Sequence, residues 1–461
     1  VQGYHPGVED DGVYLSAIKM DLHPELFPHD SSFFGVQLQA TVFDKLVSQS
    51  ARVLPMSLGW IILAWHLGVT LLLLWGCWRI CNRCFSESAA RWAGVSLVAV
   101  LLSLPVAGTA LFLMDQQLHP RALATAIILA AVVAILDRRW YVALALLAVA
   151  LPIHPIMAAF GISFCLFLVG TPALRGTVAL AWMPLGWIFQ PVPPAWKHAL
   201  DGPSYLFLTR WEWYEWLGAI APLPILWWLC RIAIRNGSTV ASRLARSLIF
   251  FGIFQLLVAV GMLSIPGLER LRPMQPMRYL HLLYFLLALL GGGILGQTVL
   301  RRHVWRWLVL FVPLAAGMYS GQRESFPGTE HLELPGRASG NSWVQAFLWI
   351  RGNTPTDALF AVDPYYLSLP GEDYHSFRAL AERSVLADMV KDRVVAAQVP
   401  LLSPTWEKQT DALKGWTSFQ PADFARIRHD FGVTWVMLEG SKDRGLNCPY
   451  RNRDVLVCRL D

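Results

Sequence analysis

The feature that most constrains this chain is a succession of strongly apolar stretches through residues 54–320, separated by short connectors that hold most of that region's charge. The stretches run over 54–77, 92–114, 121–136, 140–152, 156–171, 177–190, 218–234, 247–265, 279–299 and 305–320. So many apolar faces cannot share one aqueous core. In hydrocarbon they fold as helices, whose backbone groups are satisfied within each segment. Crossing ~30 Å of hydrocarbon takes about 20 residues. The short consecutive stretches 121–136, 140–152 and 156–171 are therefore expected to form a compact group shielded by other helices. Composition agrees: of 461 residues 55% are hydrophobic and 15% charged, against about 25% charged in soluble domains. The 21 tryptophans suit a membrane interface, where an apolar ring and one N–H both find partners. The net charge of +6 does not indicate nucleic acid, because the basic residues of this region sit in loops between apolar runs.

Arginine placement orients the set. Arg79, Arg83 and Arg91, then Arg138 and Arg139, Arg175, then Arg231, Arg235, Arg243 and Arg246, and finally Arg301, Arg302 and Arg306 fall in alternate connectors. Basic loops stay cytoplasmic. Residues 1–53, the loops 191–217 and 266–278 and the tail after 320 are then expected on the periplasmic or external side of the inner (cytoplasmic) membrane. Export of the first fifty residues calls for a transmembrane helix ahead of Val1, which is expected in the natural protein.

The expected fold is mostly α: a polytopic helical membrane bundle with a small C-terminal extracytoplasmic α/β domain. Residues 1–53 form an external acidic loop with an amphipathic surface helix, 54–320 a transmembrane bundle of about ten spans, 321–342 a linker and 343–461 the α/β domain. In FGVQLQATVFDKLV, Phe34, Leu38, Val42 and Leu46 recur every four residues, which predicts one apolar helical face over 34–47. In the tail, WVQAFLWIR reads as a helix and ALFAVD, 358–363, as a strand. PADFARIRHDFG follows as a helix opened by Pro421 and closed by Gly432, then VTWVML and DVLVCRL as strands. Cys448 and Cys458 flank the last hairpin, where an oxidising compartment favours a disulfide; two free thiols are the alternative. Cys77, Cys81 and Cys84 have metal-like spacing but no fourth ligand nearby, so no metal is expected there.

Ionisable groups beside membrane spans are costly and mark function. On the predicted outer side they are Glu9, Asp10 and Asp11 in VEDDGVY, Asp30, the group Asp115, His119 and Arg121 in DQQLHPR, His154 in PIHP, and Glu269, Arg270, Arg272 and Arg278 in LERLRPMQPMRYLHLLY. Three arginines in one external loop break the positive-inside pattern. A bound anion explains them, since guanidinium presents a planar fork of donors to phosphate oxygens; pairing with Glu269 or with lipid phosphates is the plainer account. His119 and His154 each precede proline, which also suits simple satisfaction of a helix end. The acidic triplet admits a second reading as a helix N-terminal cap. Trp211, Trp213, Tyr214 and Trp216 read as an interfacial anchor or as a stacking surface for a sugar or lipid head group.

The order of parts resembles the GT-C class of integral membrane glycosyltransferases: an outward acidic motif, a surface helix, short early spans, an arginine at the head of a late span and an extracytoplasmic α/β tail. The stretches YHPGVEDDGVYLSAIK, LFPHDSSFF, QPMRYLHLLY and WIRGNTPTDALF are similar to a family of uncharacterised bacterial membrane proteins grouped near that class. The resemblance implies transfer of a sugar from a polyprenyl phosphate carrier to an acceptor on the outer face. Asp10 or Asp11 would then act as general base, with Glu9 beside them, and Arg278 would hold the carrier phosphate. Arg272, Arg270, Arg121, His119, His154, Trp211 and Trp213 are the further binding candidates, and a divalent metal ion is the candidate cofactor. The tail lacks the WWDYG-type signature of the oligosaccharyltransferase branch. A multi-span transporter and a non-catalytic scaffold whose outer domain binds a partner are the alternatives.

Overall fold

The computed structural model describes residues 1–170, 188–440 and 443–460. Most of residues 177–190, expected as a span, and Arg175 lie outside the described residues. The chain gathers into two compact units. The first comprises Val1–Gln2, Ala64–Val192 and Pro203–Gln322, the second Gly3–Leu63, Pro193–Gly202 and Arg323–Asp461.

Among the described residues, four helical stretches are long and apolar enough to cross a membrane: Leu58–Cys84, Trp213–Arg235, Thr239–Ser264 and Glu269–Leu300. Shorter apolar helices cover Ser88–Val100, Pro120–Leu136, Trp140–Ile153 and Pro155–Val169. In the first unit the last three pack on one another, and Pro155–Val169 also packs on Thr239–Ser264. Pro120–Leu136 is buried on all faces, so a helix of seventeen residues here is shielded by protein along its length. Arg83, in the last turn of Leu58–Cys84, forms a bidentate pair with Asp137, which ends Pro120–Leu136, at 2.6 and 2.5 Å. A small antiparallel hairpin, β1 (Pro105–Val106) and β2 (Leu111–Phe112), interrupts the helices. Its turn places Gly108 at φ +61°, where a Cβ would meet the Trp211 ring at 2.4 Å; only glycine fits both constraints.

In the second unit, the helix expected over 34–47 is two helices, Ser32–Ala40 and Phe43–Val53, separated where Thr41 turns extended (φ −135°, ψ 160°). The break rotates the buried face to Phe34, Phe43 and Val47, leaving Val42 and Leu46 exposed. The tail forms a five-stranded sheet in the order β4-β3-β5-β7-β6, with β3 at Leu359–Ala361, β4 at Ser384–Val385, β5 at Trp435–Glu439, β6 at Asn447–Arg451 and β7 at Val455–Arg459. β4, β3 and β5 run parallel, and β7 and β6 add antiparallel pairs. Alternate strand residues feed two cores. Phe360, Trp435, Met437 and Val457 pack with Trp343, Phe347 and Phe377 on one face. Leu359, Ala361, Val436 and Leu438 pack with Leu413, Phe424 and Ile427 on the other. Cys448 and Cys458 form a disulfide between β6 and β7.

Candidate functional site

The first unit concentrates buried polar groups where apolar helices begin. His119 caps Pro120–Leu136 and His154 caps Pro155–Val169, each followed by proline at the first helical position. That position suits proline, whose missing N–H would find no partner there in any case. In both caps the ring nitrogen Nδ1 accepts a backbone N–H, from Arg121 at 3.0 Å and from Met157 at 3.3 Å. A nitrogen that accepts carries no proton, so in each ring Nε2 holds it and serves as a donor. The two rings stand 6.1 Å apart.

Arg121, 2% exposed, donates Nη2 to Asp115 Oδ1 at 2.5 Å. Arg278 occupies the cap of Tyr279–Leu295, lies over the Tyr205 ring at 5.8 Å, and its charge reaches the His154 and His281 rings. His281 donates Nε2 to the carbonyl of Leu113 at 2.9 Å, just past β2. Its Nδ1 is then an acceptor, fully buried and without a hydrogen-bond partner. Three helix starts thus bring the partial positive ends of their backbone dipoles together with two guanidinium groups, one of them paired with Asp115, two imidazole donors and one imidazole acceptor. The set suits an anion that also carries a hydroxyl.

The other candidates separate. Arg270 is committed to the carbonyls of Gln190 and Pro191, at 2.9 and 2.8 Å, and Arg272 stacks over Phe207 at 4.4 Å. Trp211 is buried against Gly108 and Trp216, whereas Trp213 is 73% exposed. A cavity of about 1350 Å³ in this unit is lined by residues such as Glu87, Arg301, Arg302 and Trp307 and by none of the histidines above.

The acidic triplet belongs to the second unit, in a 3-10 turn, Glu9–Gly12. The helix that follows, Tyr14–Leu22, has Val13 at its N-cap and no side-chain cap. Glu9 and Asp10 instead flank Lys391, at 3.3 and 2.9 Å. Burial opposes the charge on Lys391, but Asp10 and then Glu9 outweigh it and hold the ammonium group above its ordinary range. Asp11 is buried and accepts the Gly7 N–H at 2.7 Å. Backbone bonds from Glu9 to Tyr374 and from Ser376 to Gly7 pin the segment to residues 374–376.

Sequence reading left three groups aside: His281, Lys391 and a buried His5–Glu333–His375 relay, with ring-to-carboxylate distances of 2.6 and 3.2 Å. Only His281 had a local signal, lying three residues past Arg278. Among the described residues no group of three or more His, Cys, Asp or Glu is arranged to hold a metal ion. No protein-family model and no curated protein matches this chain.

Proposed function

We propose that the chain is a membrane glycosyltransferase of GT-C type, moving a sugar from a polyprenyl phosphate carrier to an acceptor on the outer face of the membrane. The observation that carries this reading is the cluster of Arg121, Arg278, His119 and His154 at the starts of three apolar helices. A phosphate borne on a long apolar tail matches both halves of that environment, donors at the helix starts and apolar surface along the helices. In the transfer, the acceptor hydroxyl attacks the anomeric carbon and the bond from that carbon to the phosphate oxygen breaks. The phosphate leaves with the electron pair. Arg278 stabilises the charge that develops on it, and a general base takes the hydroxyl proton. The alternation of basic loops supports placing the acidic segment and the tail outside.

Native mass spectrometry of the full-length protein against polyprenyl phosphates and their monosaccharide adducts tests the reading. Wild type is expected to retain one lipid-linked sugar, and Arg278→Ala to weaken retention more than tenfold, since losing one partner of a desolvated charged contact costs ~2–5 kcal/mol. Asp10→Asn or Asp11→Asn should retain the donor and lose transfer. No carrier retained by wild type overturns the proposal; uptake of a solute into liposomes would then favour a transporter.

A further inference from the structure

The α/β sheet of the second unit has a ligand crevice built into its topology. From β3 the chain crosses to β4 through Phe377–Ala381, which packs on the Phe360 face. From β4 it returns to β5 through Ser403–Ala412 and Pro421–Phe431, and Phe424 and Ile427 of the latter pack on the Leu359 face. The segments leaving β3 and β4, adjacent parallel strands, therefore depart to opposite faces. In open α/β sheets that reversal opens a crevice beyond the carboxyl ends of the strands, where ligands bind.

A cavity of about 400 Å³ lies there, lined by Asp363 and Tyr365 after β3, Met389 after β4, and Thr410, Asp411 and Trp416 from the return segment. Its size falls within the ~300–1,000 Å³ of small-ligand pockets. The bond from Met389 N–H to the Pro364 carbonyl at 2.8 Å ties the two strand ends together beneath it. Asp363, 7% exposed, accepts the Tyr365 N–H with Oδ1 at 2.8 Å, and its other oxygen has no partner among the described residues. The Trp416 side chain is 4% exposed and its indole N–H likewise has no hydrogen-bond partner. Tyr365, in contrast, presents a ring that is 52% exposed.

We infer that this crevice is a binding site for a neutral saccharide. Asp363 accepts a sugar hydroxyl, the Trp416 N–H donates to a sugar oxygen, and the Tyr365 ring covers the apolar C–H face of a pyranose. The charges disfavour the phosphates that such crevices often hold. Lys414 is paired with Asp411 at 2.8 Å, Arg444 is committed to the carbonyls of Trp416 and Thr417, and Asp363 would repel an anion. The site lies wholly within the second unit and does not depend on lipid-phosphate recognition by the first.

Saturation-transfer NMR on the full chain decides it, using methyl glycosides of glucose, galactose, mannose and N-acetylglucosamine. The detergent must carry no sugar head group, because a maltoside would compete. Wild type should transfer saturation to at least one glycoside, and Tyr365→Ala and Asp363→Asn should each weaken binding tenfold or more at unchanged melting temperature. Tyr365 is exposed enough that its truncation leaves the fold intact. Leu401→Ala, 89% exposed and outside the cavity, should bind as wild type does. No transfer to any glycoside, equal binding by both cavity variants, or binding of sugar phosphates alone would overturn the inference.

Discussion

Glu333 shows how much one side chain can carry in this protein. Its carboxylate receives His5 on one oxygen and His375 on the other, and His5 stacks on Phe326 at 4.0 Å. Burial alone would raise its pKa, but the bonds from His375 and His5 pull it from 4.5 to about 2. A carboxyl group held below its unfolded value contributes stability that is full above pH 4.5 and is lost as pH falls towards 2. The difference is worth on the order of 3 kcal/mol. Glu333→Gln is therefore expected to lower the melting temperature of the full-length protein at pH 7 and to flatten the loss of stability of wild type between pH 5 and pH 3. Thermal unfolding across that range measures both, and an unchanged pH slope would show that the relay is not the source. Nothing local announces this relay, because its partners are 328 and 42 residues apart. His119 and His154 were legible for the opposite reason: a His-Pro pair opening an apolar helix is written in neighbouring residues.

Some helices and strands were readable from their periodicity and end signals, as with Pro421–Phe431, which stops where Gly432 turns left-handed at φ +75°. β4, two residues long, has no pattern to read and exists because β3 offers an edge. Close packing between apolar helices also hides in the sequence until partners are known. Helix Ser88–Val100 lies against Tyr279–Leu295 and its continuation, and small residues set that approach. A Cβ on Gly292 would meet the Ala93 carbonyl oxygen at 2.6 Å, and one on Gly296 would meet the Ala89 carbonyl oxygen at 2.6 Å. Gly296→Val must push two backbones apart, at a cost of ~1–3 kcal/mol for overpacking. Gly317, where an added Cβ would meet nothing within 4 Å, provides the contrast on helix Val304–Ser325. Gly296→Val is expected to lower the melting temperature and the monodisperse yield in detergent, and Gly317→Val to leave both unchanged; equal behaviour would mean that the glycine contact does not limit stability.

At the scale of the whole molecule, the chain does not divide where its composition changes. Residues 3–63 precede and enter the first apolar stretch and residues 323–461 follow the last, yet both belong to one compact unit, and composition carries no record of that pairing. Its polar centre is Arg378, 4% exposed, held by Asp30 from the first segment at 2.5 Å and by Asp392 from the tail at 2.7 and 2.9 Å. Asp30 also accepts the Val385 N–H of β4 at 3.1 Å, so one carboxylate from the start of the chain fixes both a buried cation and a sheet edge. Lys19 repeats the arrangement, donating to the Ala379 carbonyl and to Glu382, at 2.7 and 2.6 Å. Removing one partner of a buried pair strands the other charge and costs ~3–5 kcal/mol. Asp30→Ala in the full-length protein should therefore loosen both segments at once, with limited proteolysis opening new cleavage sites in 3–63 and in 323–461 at the same protease dose. Cleavage confined to 3–63, with the tail still resistant, would mean that the sheet stands without its N-terminal partner and that Arg378 is held well enough by Asp392 alone.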